Sequence, residues 1–255
     1  MQKIIYLLLS SLFPFVFPLQ ASSSVDKDHL VIERVETEVD LFSLYRQAVS
    51  DHSQGDREVM ELYDHLEQLL RAETHWSPDF NAELVLQGVA YAAEMHEGQK
   101  RRYSEVPYIS HSISVVLILF EEGNVKDHFV LTAAALHDTL EDTDASAEEI
   151  AYLFSDKVKS LVQEVTNDPN LTYEMKHAWQ IKHALKMSPE AKLIKLADRT
   201  HNLRSYNEQD FPEGSRQEDQ KRNYFMASAN LAKALSGCNE KLDIAIDEEI
   251  HSYLK

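Results

Sequence analysis

The chain has 255 residues, and its 25 Lys and Arg against 43 Asp and Glu give a formal charge of −18. So acidic a balance argues against a nucleic-acid partner, which needs a basic face to displace phosphate counterions, yet it leaves room for a small phosphorylated substrate in one local basic pocket. Only 6 Gly and 7 Pro occur, too few for the turns of a β-sandwich or barrel, and a single cysteine, Cys238, makes no internal disulfide and no multi-cysteine zinc site.

The first 24 residues have the layout of a secretory signal peptide. Lys3 is a short positive leader, Ile4 to Leu19 is apolar but interrupted by Pro14 and Pro18, and small residues cluster from Ala21 to Ser24. The apolar run is short for a membrane span, which needs about 20 residues. Read so, the protein is exported, periplasmic or secreted, with no membrane contact beyond this segment; without a working signal it is cytoplasmic.

Residues 25–78 read as a helical N-terminal extension and 79–255 as the main domain. In the extension, Leu41, Leu44, Tyr45 and Ala48 form one helical stripe, and Leu62, Leu66, Leu69 and Leu70 a second. The polar run Ser50 to Gly55 separates them. The next break is Thr74 to Asp79, where Ser77-Pro78-Asp79 reads as a helix start. Helical periodicity then predicts helices near 80–97, 111–121, 125–141, 146–155, 157–168, 172–187, 189–204, 217–236 and 239–252. No convincing alternating strand appears, so the fold class is all-α. Asp243, Asp247, Glu248 and Glu249 read as a solvated helix face.

The informative stretch is His137-Asp138-Thr139-Leu140-Glu141-Asp142-Thr143, at the end of the apolar run Val130 to Leu136. Helical spacing sets Glu141 and Asp142 about one turn beyond His137 and Asp138, on the same face. Three carboxylates and an imidazole thus crowd one helix end. Like charges so close are stable only beside a cation, most simply a divalent metal.

A His-Asp pair ending a buried helix resembles the HD phosphohydrolase superfamily, and the ordered set Tyr108-Ile109-Ser110-His111, His137 to Thr143 and Lys195 to Arg204 narrows the resemblance. Together these motifs are similar to the (p)ppGpp hydrolase domain of RelA/SpoT enzymes, above all its small stand-alone members. The similarity runs from about residue 83 to about residue 245. It implies an HD-domain helical bundle and removal of the 3′-pyrophosphate of ppGpp or pppGpp, giving GDP or GTP. It further implies that His111, His137, Asp138 and Asp198 hold one divalent metal. Mn²⁺ is the expected ion, and Fe or Zn also suit two imidazoles and two carboxylates. Glu141 and Asp142 would orient and deprotonate the attacking water. Asn202 would contact substrate near the metal, Arg101 the base and phosphates, and Lys195 and Tyr224 would line the nucleotide pocket. The loop Arg101 to Pro107 departs from the family pattern, being about one residue short and without Gly. His96, His177, His183 and His201 are expected not to be ligands. The rival readings are an HD phosphohydrolase of another nucleotide, such as (p)ppApp or NADPH, and a non-catalytic nucleotide-binding module.

Overall fold

The computed structural model describes residues 40–254. The expected signal segment, and residues 25–39 of the expected extension, lie outside the described residues. Twelve helices make up the described part: α1 Leu41–His52, α2 Arg57–Trp76, α3 Ala82–Met95, α4 Ile109–Leu117, α5 His128–Ala135, α6 Thr139–Asp142, α7 Ala147–Leu153, α8 Asp156–Val165, α9 Tyr173–Ala184, α10 Pro189–Asn207, α11 Arg216–Leu235 and α12 Glu240–Tyr253. A π-helical turn, Ile118–Glu122, continues α4. There is no strand among the described residues, only one isolated antiparallel bridge, Lys100 to Pro107. None of these helices is long and apolar enough to cross a membrane.

Local chemistry sets most helix starts. Asp40, Asp56, Asn81, Asp127, Ser146, Ser155, Ser188, Ser215 and Asn239 each accept a first-turn backbone N–H on the side chain. Each cap satisfies a donor that the helix itself leaves unpaired. Ser188 is followed by Pro189 at the first helical position, where the missing N–H costs nothing.

Three boundaries differ from the sequence reading, the first being α1, which continues through Ser50, Asp51 and His52 so that the break begins at Ser53. Helix α2 continues through Trp76, and Ser77-Pro78-Asp79 is a turn rather than a start. The Phe80 N–H reaches back to the Ser77 carbonyl at 2.9 Å, and Asn81 caps α3 through the Leu84 N–H. The single helix expected near 125–141 is broken at Leu136, His137 and Asp138. There the Thr139 N–H and hydroxyl both bond the Leu136 carbonyl, at 3.0 and 2.7 Å, tightening the turn and lifting the His-Asp pair out of the ladder.

Helix α10 is the axis of the domain. Ile194 to Thr200 are seven consecutive buried residues, so this helix is enclosed on every side. It packs against α4, α5, α8, α11 and α12. Helices α3 and α5 approach closely at Gly88, where a Cβ would lie 3.0 Å from Thr132 Cγ2. From Asp40 onward the chain is one compact unit, and Val49, Val59, Tyr63, Leu66 and Leu70 of α1 and α2 join the same apolar core as α3 to α5.

Candidate metal centre and active site

Four expected ligands come from three separate places in this core. His111 lies on α4, two residues into the helix, and is 1% exposed. His137 and Asp138 sit in the break between α5 and α6. Asp198 faces them from the middle of α10. His111 Nε2 stands 3.6 Å from Asp138 Oδ2 and 3.4 Å from Asp198 Oδ1. His137 Nε2 stands 2.9 Å and 3.8 Å from the same two oxygens. Nitrogen and oxygen atoms of His111, His137 and Asp198 all lie within 4.8 Å of one another, a grouping able to hold a metal ion.

The donor atoms fit such an ion. Nε2 of His111 and Nε2 of His137 are buried and make no hydrogen bond. Buried polar atoms are rarely left so. His137 Nδ1 lies 2.8 Å from the Ala134 carbonyl, which only accepts, so Nδ1 carries hydrogen and Nε2 is the nitrogen whose lone pair faces inward whenever the ring is neutral. A lone pair facing carboxylate oxygens repels them unless a cation stands between.

Around these groups each carboxylate is tied down. Tyr108 donates its hydroxyl to Asp138 Oδ2 at 2.5 Å. Asp198 accepts Lys195 Nζ at 2.8 Å on Oδ2 and Asn202 Nδ2 at 2.6 Å on Oδ1. Burial alone would raise the Asp198 carboxyl, but Lys195 and the two histidines hold it well below the usual range. Burial works against the Lys195 ammonium, yet Asp198 and Asp138 outweigh it and keep the pKa raised. Burial pushes the His111 imidazole down to about 4.

Above this floor opens a pocket of about 320 Å³, lined among others by Arg101, Arg102, Lys176, Lys195 and Arg199. In a protein whose net charge is −18 these five cations share one cleft with four carboxylates, Asp138, Glu141, Asp142 and Asp198. Asp142 lines the pocket with a solvent-exposed side chain. Partial desolvation, then Asp138 and Glu141, push its carboxyl up to about 6. The Asp142 N–H bonds the Asp138 carbonyl at 2.9 Å, so one turn does separate these two residues. The corresponding spacing of His137 and Glu141 is lost in the helix break. Glu141 instead accepts from the Asn167 N–H at 3.2 Å, Asn167 Nδ2 at 2.7 Å and Lys176 Nζ at 3.1 Å.

The expected substrate residues all lie on this pocket, with contacts of their own. Arg101 donates to Asn202 Oδ1 at 2.8 Å, so Asn202 bridges Arg101 and Asp198. Tyr224 lies under the Arg199 guanidinium, 4.7 Å from its ring centre, and 5.0 Å from the Tyr206 ring. The Gly-free loop turns at Tyr103, whose φ of +64° is a left-handed conformation that Gly adopts more readily.

Sequence reasoning missed several residues here. Tyr108 opens the motif that ends at His111, yet nothing in the spacing marks its hydroxyl as a partner of Asp138. His201, set aside as a non-ligand, places Nδ1 2.7 Å from His111 Nδ1. Asn167, Lys176, Gln180 and Arg199 form the far wall, Gln180 bonding both Asn167, at 3.0 Å, and Arg199, at 3.1 Å. Arg199 lies within the motif from Lys195 to Arg204, but no local signal ties Lys176 to the site, because 35 residues separate it from Glu141.

Comparison with known proteins agrees with this geometry. The family model "HD domain" matches residues 88–237. The guanosine-3′,5′-bis(diphosphate) 3′-pyrophosphohydrolase MESH1 of Xenopus tropicalis is 40% identical over 168 residues, which are 66% of this chain and 93% of that protein. Its Homo sapiens counterpart is 41% identical over 163 residues, 64% of this chain and 90% of that protein. A solved structure of a metazoan ortholog of SpoT, described as hydrolysing ppGpp, superposes with a TM-score of 0.62 at 40% identity, covering 66% of this chain and 94% of that one. The chain therefore belongs to the HD-domain family, within the RelA/SpoT-type hydrolases that include the metazoan SpoT homologs.

Proposed function

We propose that this protein hydrolyses the 3′-pyrophosphate of guanosine tetra- or pentaphosphate, releasing pyrophosphate and GDP or GTP. One observation carries the reading: two unbonded buried imidazole nitrogens and two aspartates meet at the floor of a pocket walled by cations. A nucleotide with a second charged group at the 3′ position meets several cations in that pocket, Arg101, Arg102, Lys176 and Arg199. The relatives that cover the same stretch carry that activity in their names.

His111, His137, Asp138 and Asp198 would hold one divalent cation, for which we propose Mn²⁺. When bound, such an ion supplies Lewis acidity, offsetting phosphate charge and making a nearby water more acidic. The chain's own residues do the rest. Asp142, its carboxyl pushed up to about 6, is poised to accept a proton from the attacking water. Glu141 holds Asn167 and Lys176 in place beside it. Water oxygen bonds to the phosphorus attached to the ribose 3′ oxygen, that P–O bond breaks, and the 3′ oxygen takes up a proton. Lys176, Arg199 and Arg101 face the departing charge. Lys195 and Asn202 keep Asp198 oriented, and Tyr224 and Arg101 line the nucleotide side.

The test is direct. Purified protein with Mn²⁺ is offered ppGpp, a 3′-phosphorylated adenine nucleotide of the (p)ppApp class and NADPH, with and without chelator. Release of GDP and pyrophosphate from ppGpp, lost with chelator, is the expected result. Faster turnover of either other nucleotide would replace ppGpp as the substrate. No turnover of any of them would leave a binding module.

We infer export from residues 1–24, on the strength of the short apolar run and the small residues after it. Sequencing the N-terminus of the mature protein, with its cellular fraction, tests this: an intact Met1 in the cytoplasm would remove the inference.

A further inference from the structure

The two ligand histidines have their remote nitrogens handled differently. His137 Nδ1 meets a backbone carbonyl, Ala134, at 2.8 Å, which fixes its tautomer without help from any side chain. His111 Nδ1 meets another imidazole, His201 Nδ1, at 2.7 Å, with ring centroids 4.8 Å apart and planes 36° from parallel. Two ring nitrogens at that distance share one hydrogen, one donating and one accepting.

Two arrangements satisfy the pair. If His201 donates from Nδ1, His111 accepts there and carries its own hydrogen on Nε2, aimed at Asp198 Oδ1 3.4 Å away. That tautomer has no lone pair for a cation. If His111 donates from Nδ1, its Nε2 is bare and faces the centre, and His201 must carry its hydrogen on Nε2. Only the second arrangement makes a ligand of His111. His201 lies on α10, three residues after Asp198, so the helix that supplies one ligand also sets the tautomer of another.

We propose that His201 is a positioning residue for the metal centre: it accepts the His111 Nδ1–H and thereby selects the tautomer in which His111 Nε2 can bind a cation. The proposal rests on the metal reading above. Partners of ligand histidines of this kind contribute roughly 10–100-fold to metal affinity in other proteins.

The experiment uses the full chain, stripped of metal and titrated with Zn²⁺ as a diamagnetic probe against a competing chelator. His201→Leu removes the acceptor, and His201→Asn keeps an acceptor oxygen close to the Nδ1 position. The Leu variant is expected to bind Zn²⁺ about 10–100-fold more weakly, with the Asn variant regaining most of the loss and the metal-free melting temperatures unchanged. Imidazole nitrogen NMR of the Zn²⁺-loaded wild type, assigned through the His111→Asn and His201→Asn spectra, is expected to show hydrogen on Nδ1 of His111 and on Nε2 of His201. Zn²⁺ binding by the Leu variant as tight as wild type, or equal losses in both variants, would overturn the proposal while the metal centre stands. Hydrogen on Nδ1 of His201 would overturn it too, and this readout remains should the Leu variant not fold. Wild-type protein that takes up no Zn²⁺ would overturn the metal centre itself and this inference with it.

Discussion

Helix α10 carries two charged clusters, around Asp198 and around Arg204, separated by about 9 Å along the axis. They are finished differently. Arg204 spreads its guanidinium over Glu122, at 2.6 and 2.9 Å, and Glu249, at 3.0 Å, and Asn207 closes the ring on Glu249 at 2.8 Å. The fork of the arginine is spoken for on every side. Around Asp198 the carboxylate is equally well bonded, yet Nε2 of His111 and Nε2 of His137 have no hydrogen-bond partner. A closed polar cluster clamps α10 to α12 and to the π-helical turn. An open one, buried and charged, is stable only when something else completes it. The same helix thus serves as fastener at one end and as site in its middle.

The sharpest way to break this comparison is Asp138→Ala. Turnover is expected to fall to background, and metal affinity by more than the roughly 100-fold that loss of a supporting residue costs. Mn²⁺ titration and a GDP-release assay read both. Unchanged turnover would return the cluster to the fastener class.

Asp142→Asn is expected next, with a loss of roughly 10²–10⁴ in kcat, the usual reach of general base catalysis. In wild type, kcat/KM should fall as pH drops below about 6, because the protonated carboxyl no longer accepts a proton. That acidic limb should vanish in the variant. A raised folded pKa also means that stability falls as pH rises from about 4 to about 6. Melting curves at pH 8 should therefore show Asp142→Asn no less stable than wild type, with the effect tempered by the exposure of this side chain.

Lys176→Ala should lower kcat about tenfold, the loss of one charge-assisted contact to the departing group, with a smaller change in KM. The smallest effect belongs to the fastener. Arg204→Met should cost about 1 kcal/mol, since its partners are part-exposed, and lower the melting temperature by a few degrees, leaving Mn²⁺ affinity and kcat as they were. A loss of activity without a loss of stability would place Arg204 in the site after all.

The fold was legible because its signals are local. Apolar spacing located the helices and put most starts within a few residues of the Asp, Asn and Ser caps found in the structure. Where reading went astray, a tertiary demand had overridden a local one. Helix periodicity runs straight through His137, but the chain breaks there to set His137 and Asp138 against α10. The acidic stretch at the C-terminus looked uniformly solvated, yet Glu249 turns inward to Arg204, a partner 45 residues away.

By itself the sequence determined the all-α class, the order of the helices and the candidate ligands, because helix formation and motif spacing act over a few residues. Only the tertiary structure decided which charges are completed and which are left open. That choice depends on atoms brought together from distant segments: Glu122 and Glu249 onto Arg204, Lys176 onto Glu141, and one imidazole onto another at His111 and His201. Burial makes each of those meetings decisive, since out of water a polar atom must find its partner inside the protein or keep a place for a ligand.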